Sequence, residues 1–145
     1  MRSGDEQMRA PGTFLWNELL TNDAEGASAF YSQLFGWQSF NPDGLEDRAV
    51  PEPEKSGPPH TIWMMGFTQI GSMRGLPEAH QARSPVWMPF ITVNDVDESA
   101  RQARELGGSV LEEPFNVPNT GRFAILLDPQ GAVFGVGKPF LSEAR

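Results

Sequence analysis

Apolar and polar positions along the chain alternate in short runs, broken by two stripes of helical spacing. Residues 14–20 form an apolar run of large side chains that reads as a strand and ends at Thr21-Asn22-Asp23. Ala27, Phe30, Tyr31 and Leu34 then recur at i, i+3, i+4 and i+7, one face of a helix. Asp23 is its expected N-cap, since a carboxylate there accepts from free backbone N–H groups of the first turn. Gly36 stops the helix, and Trp37-Gln38-Ser39-Phe40 alternates as a second strand. Residues 41–59 carry Pro42, Pro51, Pro53, Pro58 and Pro59 in a polar stretch. Proline removes backbone donors, so neither helix nor sheet runs through it, and a long surface loop that could cover a site is expected. Strands are predicted over 61–65 and 69–73, with Gly66 as the turn, and a linker over 75–85 contains His80.

The second half repeats the first. Residues 87–93 read as a strand, and Asp95 is an N-cap with Glu98 three residues on, as in a capping box. Val96, Ala100, Ala103 and Leu106 form a helical stripe closed by Gly107-Gly108. Strands follow over 109–111, 123–127 and 132–136, the last after the turn Asp128-Pro129-Gln130-Gly131. Asn22 and Asn94, Asp23 and Asp95, Leu34 and Leu106, and Gly36 and Gly108 all stand 72 residues apart. Each half reads strand–helix–strand–strand–strand, and neither would cover its own sheet well alone, so the two are expected to pack into one domain. The predicted organisation is a disordered tail over 1–11, a single domain over 12–140 built of modules at about 13–75 and 86–139, and a short tail over 141–145.

Composition narrows the chemistry. The 145 residues include no cysteine, which excludes disulfides, thiol catalysis, all-cysteine zinc sites and iron–sulfur sites. A net charge of −8 would repel a phosphate backbone, so nucleic acid is not an expected partner. No apolar run approaches the roughly 18 residues of a membrane span, and the first residues lack the apolar stretch of a signal peptide. The expectation is a cytoplasmic chain with no membrane partner.

The duplicated βαβββ unit resembles the vicinal oxygen chelate superfamily, the glyoxalase/bleomycin-resistance/dioxygenase group. The resemblance rests on Phe30-Tyr31 with Leu34-Phe35-Gly36-Trp37, on Asn94-Asp95-Val96-Asp97, on Gly121-Arg122, and on the run from Asp128 to Gly135. Gly12, Trp16, Glu18, Leu19 and Trp87 are closer still to an actinobacterial-type subgroup. The resemblance implies an α+β fold in which the two modules form one curved, eight-stranded mixed sheet. It also implies a ligand held in the bowl of that sheet, and homodimer formation, with Trp87 and the 41–59 loop as candidate contacts.

Metal-using relatives supply histidine, glutamine or glutamate from several strands, because a divalent ion needs three or four donors converging on one point. Here those positions carry Trp16, Met88 and Gly135, and on the fourth strand Gln69 is the only donor. An indole nitrogen has no free lone pair, a thioether is too soft for the usual ions and glycine has no side chain. No metal and no other cofactor is therefore expected. His60 and His80 are read as loop residues rather than a displaced ligand pair.

Strand alternation and the repeat put Trp16, Glu18, Met88 and Phe90 on one face; the resemblance implies that this face lines the bowl, with Trp63, Met65, Met73 and Gly135 as candidates to complete it. The expected floor is aromatic and thioether-rich with one carboxylate. Glu18 is open to two readings: a structural pair with Arg74 or Arg122, or a functional group that acts as general base or anchors a cationic ligand. Arg122 could contact an anionic ligand group or clamp its own loop. The first functional expectation is a metal-independent protein binding a cationic or aromatic small molecule through Trp16, Glu18, Trp63, Met73, Met88, Phe90 and Arg122. The alternative is a glyoxalase-like lyase, isomerase, hydrolase or dioxygenase, either metal-free with Glu18 as catalytic base or metal-dependent.

Overall fold

Both helices begin on an aspartate that does the same work. In the computed structural model, which describes residues 10–41 and 60–140, the Gly26 N–H donates to Asp23 Oδ1 at 2.9 Å and the Glu98 N–H to Asp95 Oδ1 at 3.0 Å. These caps open α1 (Ala24–Phe35) and α2 (Val96–Glu105). The expected tails, apart from residues 10 and 11, which form a turn into β1, and most of the proline-rich loop lie outside the described residues.

The strands are β1 (Phe14–Thr21), β2 (Gln38–Phe40), β3 (Thr61–Met65), β4 (Thr68–Gly75), β5 (Val86–Thr92), β6 (Ser109–Val117), β7 (Gly121–Leu127) and β8 (Val133–Pro139). Two helices and an eight-stranded mixed sheet make this the expected α+β class. A single 3-10 turn, Glu78–His80, interrupts the linker before β5.

The described residues divide into two units. In the unit made of 16–41 and 60–88, the strand order is β2-β3-β4-β1, with β1 parallel to β4 and the other pairs antiparallel. One face buries Leu19, Trp63 and Met73, and Ala27 and Tyr31 of α1 pack against them together with Trp37 and Ile70. In the unit made of 10–15 and 89–140, the order is β5-β8-β7-β6, with β5 parallel to β8. Here Val96 and Ala100 of α2 seat on Ala124, Leu126 and Val136.

Three sequence expectations shift. Leu106 is 77% exposed, because α2 ends at Glu105 and the chain turns at Gly107, whose φ is +97°. β6 continues to Val117 past Pro114, through a stretch where its register against β7 slips between Val110 and Phe115. β4 starts at Thr68 and runs to Gly75, which brings Arg74 into the sheet.

Candidate functional site

The register of two parallel strands builds the most charged group of the sheet interior. Glu18 of β1 stands beside Ser72 of β4, Leu19 beside Met73, and Leu20 beside Arg74. Neighbours in register project to the same face and faces alternate along each strand. Glu18, Ser72 and Arg74 therefore share one face, and Leu19 and Met73 the other.

On the first face three side chains are linked in series. The Trp16 indole Nε1–H donates to Ser72 Oγ at 2.7 Å, and the Ser72 hydroxyl donates to Glu18 Oε2 at 2.7 Å. A hydroxyl has one proton and spare lone pairs, so Ser72 accepts from the indole and at the same time gives its proton to the carboxylate. Arg74 Nε lies 3.3 Å from Glu18 Oε1, an ion pair on the other oxygen. Glu18 is 7% exposed and Arg74 4%. Loss of water pushes the Glu18 carboxyl above its usual range, opposed by the Arg74 charge, the Ser72 hydrogen bond and the His60 charge. Burial is the largest of these effects, so the net direction is upward. His60, read from sequence as a plain loop residue, thus lies within electrostatic reach of the carboxylate; His80 sits in the 3-10 turn.

The remaining expected site residues are placed differently. Trp63 and Met73 are fully buried on the opposite, helix-covered face with Leu19, so they do not line the surface that carries Glu18. Met88 is fully buried in β5. Arg122 is engaged elsewhere: its Nε and Nη2 donate to Asp97 Oδ2 and Oδ1 at 2.7 and 2.9 Å, and its Nη1 to Asn116 Oδ1 at 3.0 Å. This fork ties β7 to the first turn of α2, and it lowers the Asp97 carboxyl below its usual range.

In the other unit Phe90 is 4% exposed, and its ring lies over Gly135, its register partner. A Cβ built on Gly135 would fall 2.4 Å from two ring carbons of Phe90. The Phe123 ring covers Gly137 in the same way, at 2.5 Å, and meets Phe90 edge-on at 5.5 Å between centroids. Phe115 lies 6.3 Å from Phe123. The two glycines of β8 are the space into which rings from β5 and β7 fold.

That packing bears on the metal. The positions where the resemblance places ligands hold an indole whose N–H is already donated, a buried thioether and a glycine roofed by a phenyl ring. Among the described residues, no group of three or more histidine, aspartate or glutamate side chains could hold an ion. This donor set does not fit a divalent metal.

A fold of two βαβββ units with this strand order defines a glyoxalase-type domain. A model of the glyoxalase-like domain family matches residues 17–137, and the chain belongs to that family, within the vicinal oxygen chelate superfamily. It is 35% identical over 133 residues to CFP32 of Mycobacterium tuberculosis, a protein named as a candidate glyoxylase; the match covers 88% of this chain and 44% of that one. It is 36% identical over 133 residues to the anthracycline biosynthesis protein DauV of a Streptomyces species, covering 92% and 44%. The chain thus spans less than half the length of these curated relatives. Among solved structures, methylmalonyl-CoA epimerase from M. tuberculosis shares the fold, with a TM-score of 0.54 at 16% identity, covering 97% of this chain and 94% of that one.

Ser72, Phe123 and Phe115 were not singled out by the sequence. Ser72 becomes visible only through the β1–β4 register, which no local pattern encodes. The phenylalanines had a signal in the Gly135-Val136-Gly137 spacing, since small residues two apart on a strand leave room on one face for rings.

Proposed function

We propose that this chain binds an aromatic small molecule without a metal, on the sheet face that carries Trp16 and Glu18. One observation carries the reading: the Trp16 ring is held in a fixed orientation by a hydrogen bond to Ser72, which is itself fixed by the buried Glu18 carboxylate. A pinned aromatic ring binds with little loss of rotamer freedom, and its face suits a planar or cationic partner at about 0.5–2 kcal/mol per contact. The Arg74 guanidinium already offsets the Glu18 charge, which favours an aromatic ligand over one chosen for its cationic charge alone. The DauV relative, named for anthracycline biosynthesis, is consistent with an aromatic ligand. No helix among the described residues is long and apolar enough to cross a membrane, and the reading is of a cytoplasmic binding protein.

A second reading, catalysis with Glu18 as general base, is favoured by its raised pKa, since a base works best when its pKa approaches the working pH. Both readings are tested together with chelator-treated protein, a panel of planar aromatic compounds and thermal shift. Binding at a hundredfold excess over Kd stabilises by about 2.7 kcal/mol. Trp16→Ala should abolish that shift for a compound the wild type binds. Glu18→Gln should weaken it if the carboxylate only orients the ring, whereas an enzyme would keep affinity and lose turnover. A hit that survives Trp16→Ala, or that needs an added divalent ion, overturns the proposal.

A further inference from the structure

The face that carries Glu18 has a second accessible end. Thr61 of β3 stands beside Met73 of β4, and Ile62 beside Ser72. Neighbours in register share a face and faces alternate along a strand, so Ile62 lies on the Glu18 side with Ser72. One residue before Thr61, His60 falls on the same side, level with Arg74. Its charge acts on the Glu18 carboxyl, which agrees with that placement. Exposure grades the face. Glu18, Ser72 and Arg74 are buried, whereas Trp16, Ile62 and His60 are half-buried. A ligand therefore meets an indole at one end, an apolar side chain in the middle and an imidazole at the other end.

Strand geometry sets the length of that ligand. The edge of the Trp16 indole is located by its hydrogen bond to Ser72. His60 lies two residues along the ladder from Ser72 and one strand across, roughly 8 Å at about 3.3 Å per residue and 4.8 Å per strand. A fused bicyclic ring system laid from Trp16 across Ile62 spans this distance and brings a substituent to the imidazole. The charges select the substituent. Glu18 and Arg74 offset each other, so an ionic ligand group would meet a like charge beside any opposite one, and a neutral group is favoured. A neutral imidazole has one N–H and one lone pair. The Glu18 carboxylate draws the N–H to its side, which leaves the lone pair to accept from the ligand. A hydroxyl on an aromatic ring is neutral and donates. We infer that His60 determines specificity at this site, which takes a planar, fused-ring aromatic compound whose hydroxyl, at the end away from Trp16, donates to the His60 imidazole. His60 thus adds, to the Trp16-based ligand reading on which it rests, the polar group that the ligand must carry.

Calorimetric titration of the full chain with 2-naphthol, 2-methoxynaphthalene and naphthalene tests this. 2-Naphthol should bind about 5- to 10-fold more tightly than the other two, the worth of one hydrogen bond. The methyl ether keeps the oxygen and lacks the proton, so it separates donation from acceptance. His60→Leu should bring the three affinities within about twofold of one another, with naphthalene binding unchanged as the sign of an intact fold. His60→Gln, whose amide oxygen still accepts, should keep a preference for 2-naphthol. Trp16→Ala should abolish binding of every probe. Trp16-dependent binding with equal affinity for the three probes, a preference for the ether, or a 2-naphthol preference that survives His60→Leu would overturn the role of His60 and leave the Trp16 site standing. No Trp16-dependent binding of any probe would overturn both.

Discussion

Glu18 meets a hydroxyl donor on one oxygen and a guanidinium charge on the other, and that arrangement resists its tendency to take up a proton. Ser72 donates to Oε2 and Arg74 faces Oε1, so a neutral carboxyl would need one of these donors to turn away. Burial still acts more strongly and raises the carboxyl above its value of 4.5 in an open chain. The native state therefore binds this proton more tightly than the unfolded state does. The resulting stabilisation is fully present below pH 4.5 and is lost as pH rises through the folded value. Urea titrations of the wild type and Glu18→Gln from pH 4 upward should give curves whose difference changes from about 4.5, with the wild type losing ground. Parallel curves would show a carboxyl that keeps its water. Gly135 and Phe90 make a second coupled pair at this scale: the ring occupies the volume a side chain at 135 would need, so restoring a glutamate there would first require moving Phe90.

At the scale of elements, the helices share one sequence logic and differ in how they seat. Small residues let α2 approach its strands, and Val96 and Ala100 disappear into Ala124, Leu126 and Val136. In α1 the sheet-facing position is Tyr31, whose ring stands against Trp37 and Trp63, and no residue of the helix is fully buried. Both caps should matter alike. Asp23→Ala and Asp95→Ala are each expected to cost about 1 kcal/mol in denaturant unfolding, and a loss at Asp95 alone would mean that α1 frays without consequence. The caps, the helices and the duplication were legible because they depend on spacing within a few residues, or on a repeat that subtraction exposes. Strand faces were legible only where a strand could be counted from a landmark. Trp16 and Glu18 were placed together by counting back from Asp23. Trp63 and Met73 were put on the wrong face because the phase of β3 and β4 is set by their pairing with one another and with β1, far away in sequence. Arg122 was recognised as a possible clamp, but its partner Asp97 lies 25 residues away and only the tertiary fold supplies it.

For the whole molecule, metal independence is the most consequential expectation because the superfamily is named for metal chelation. The argument is one of donor count. An ion held well enough to serve chemistry needs three or more nitrogen or oxygen donors at one point, and the described residues offer no such group. The Glu18 carboxylate already accepts from Ser72 and is paired with the Arg74 charge, so recruiting it would strip a buried hydroxyl of its acceptor and a buried guanidinium of its counter-charge. A native-state metal at a hundredfold excess over Kd would add about 2.7 kcal/mol, which for a domain of this size is on the order of 8 °C in Tm. Chelator, zinc, nickel and manganese should instead each leave Tm within about 1 °C. The same titration on Trp16→His shows what position 16 contributes. If the wild type shifts and the variant does not shift further, metal independence fails and the donors do not include position 16. If only the variant shifts, the wild type is metal-independent as expected and the new imidazole has completed a site that the indole does not provide.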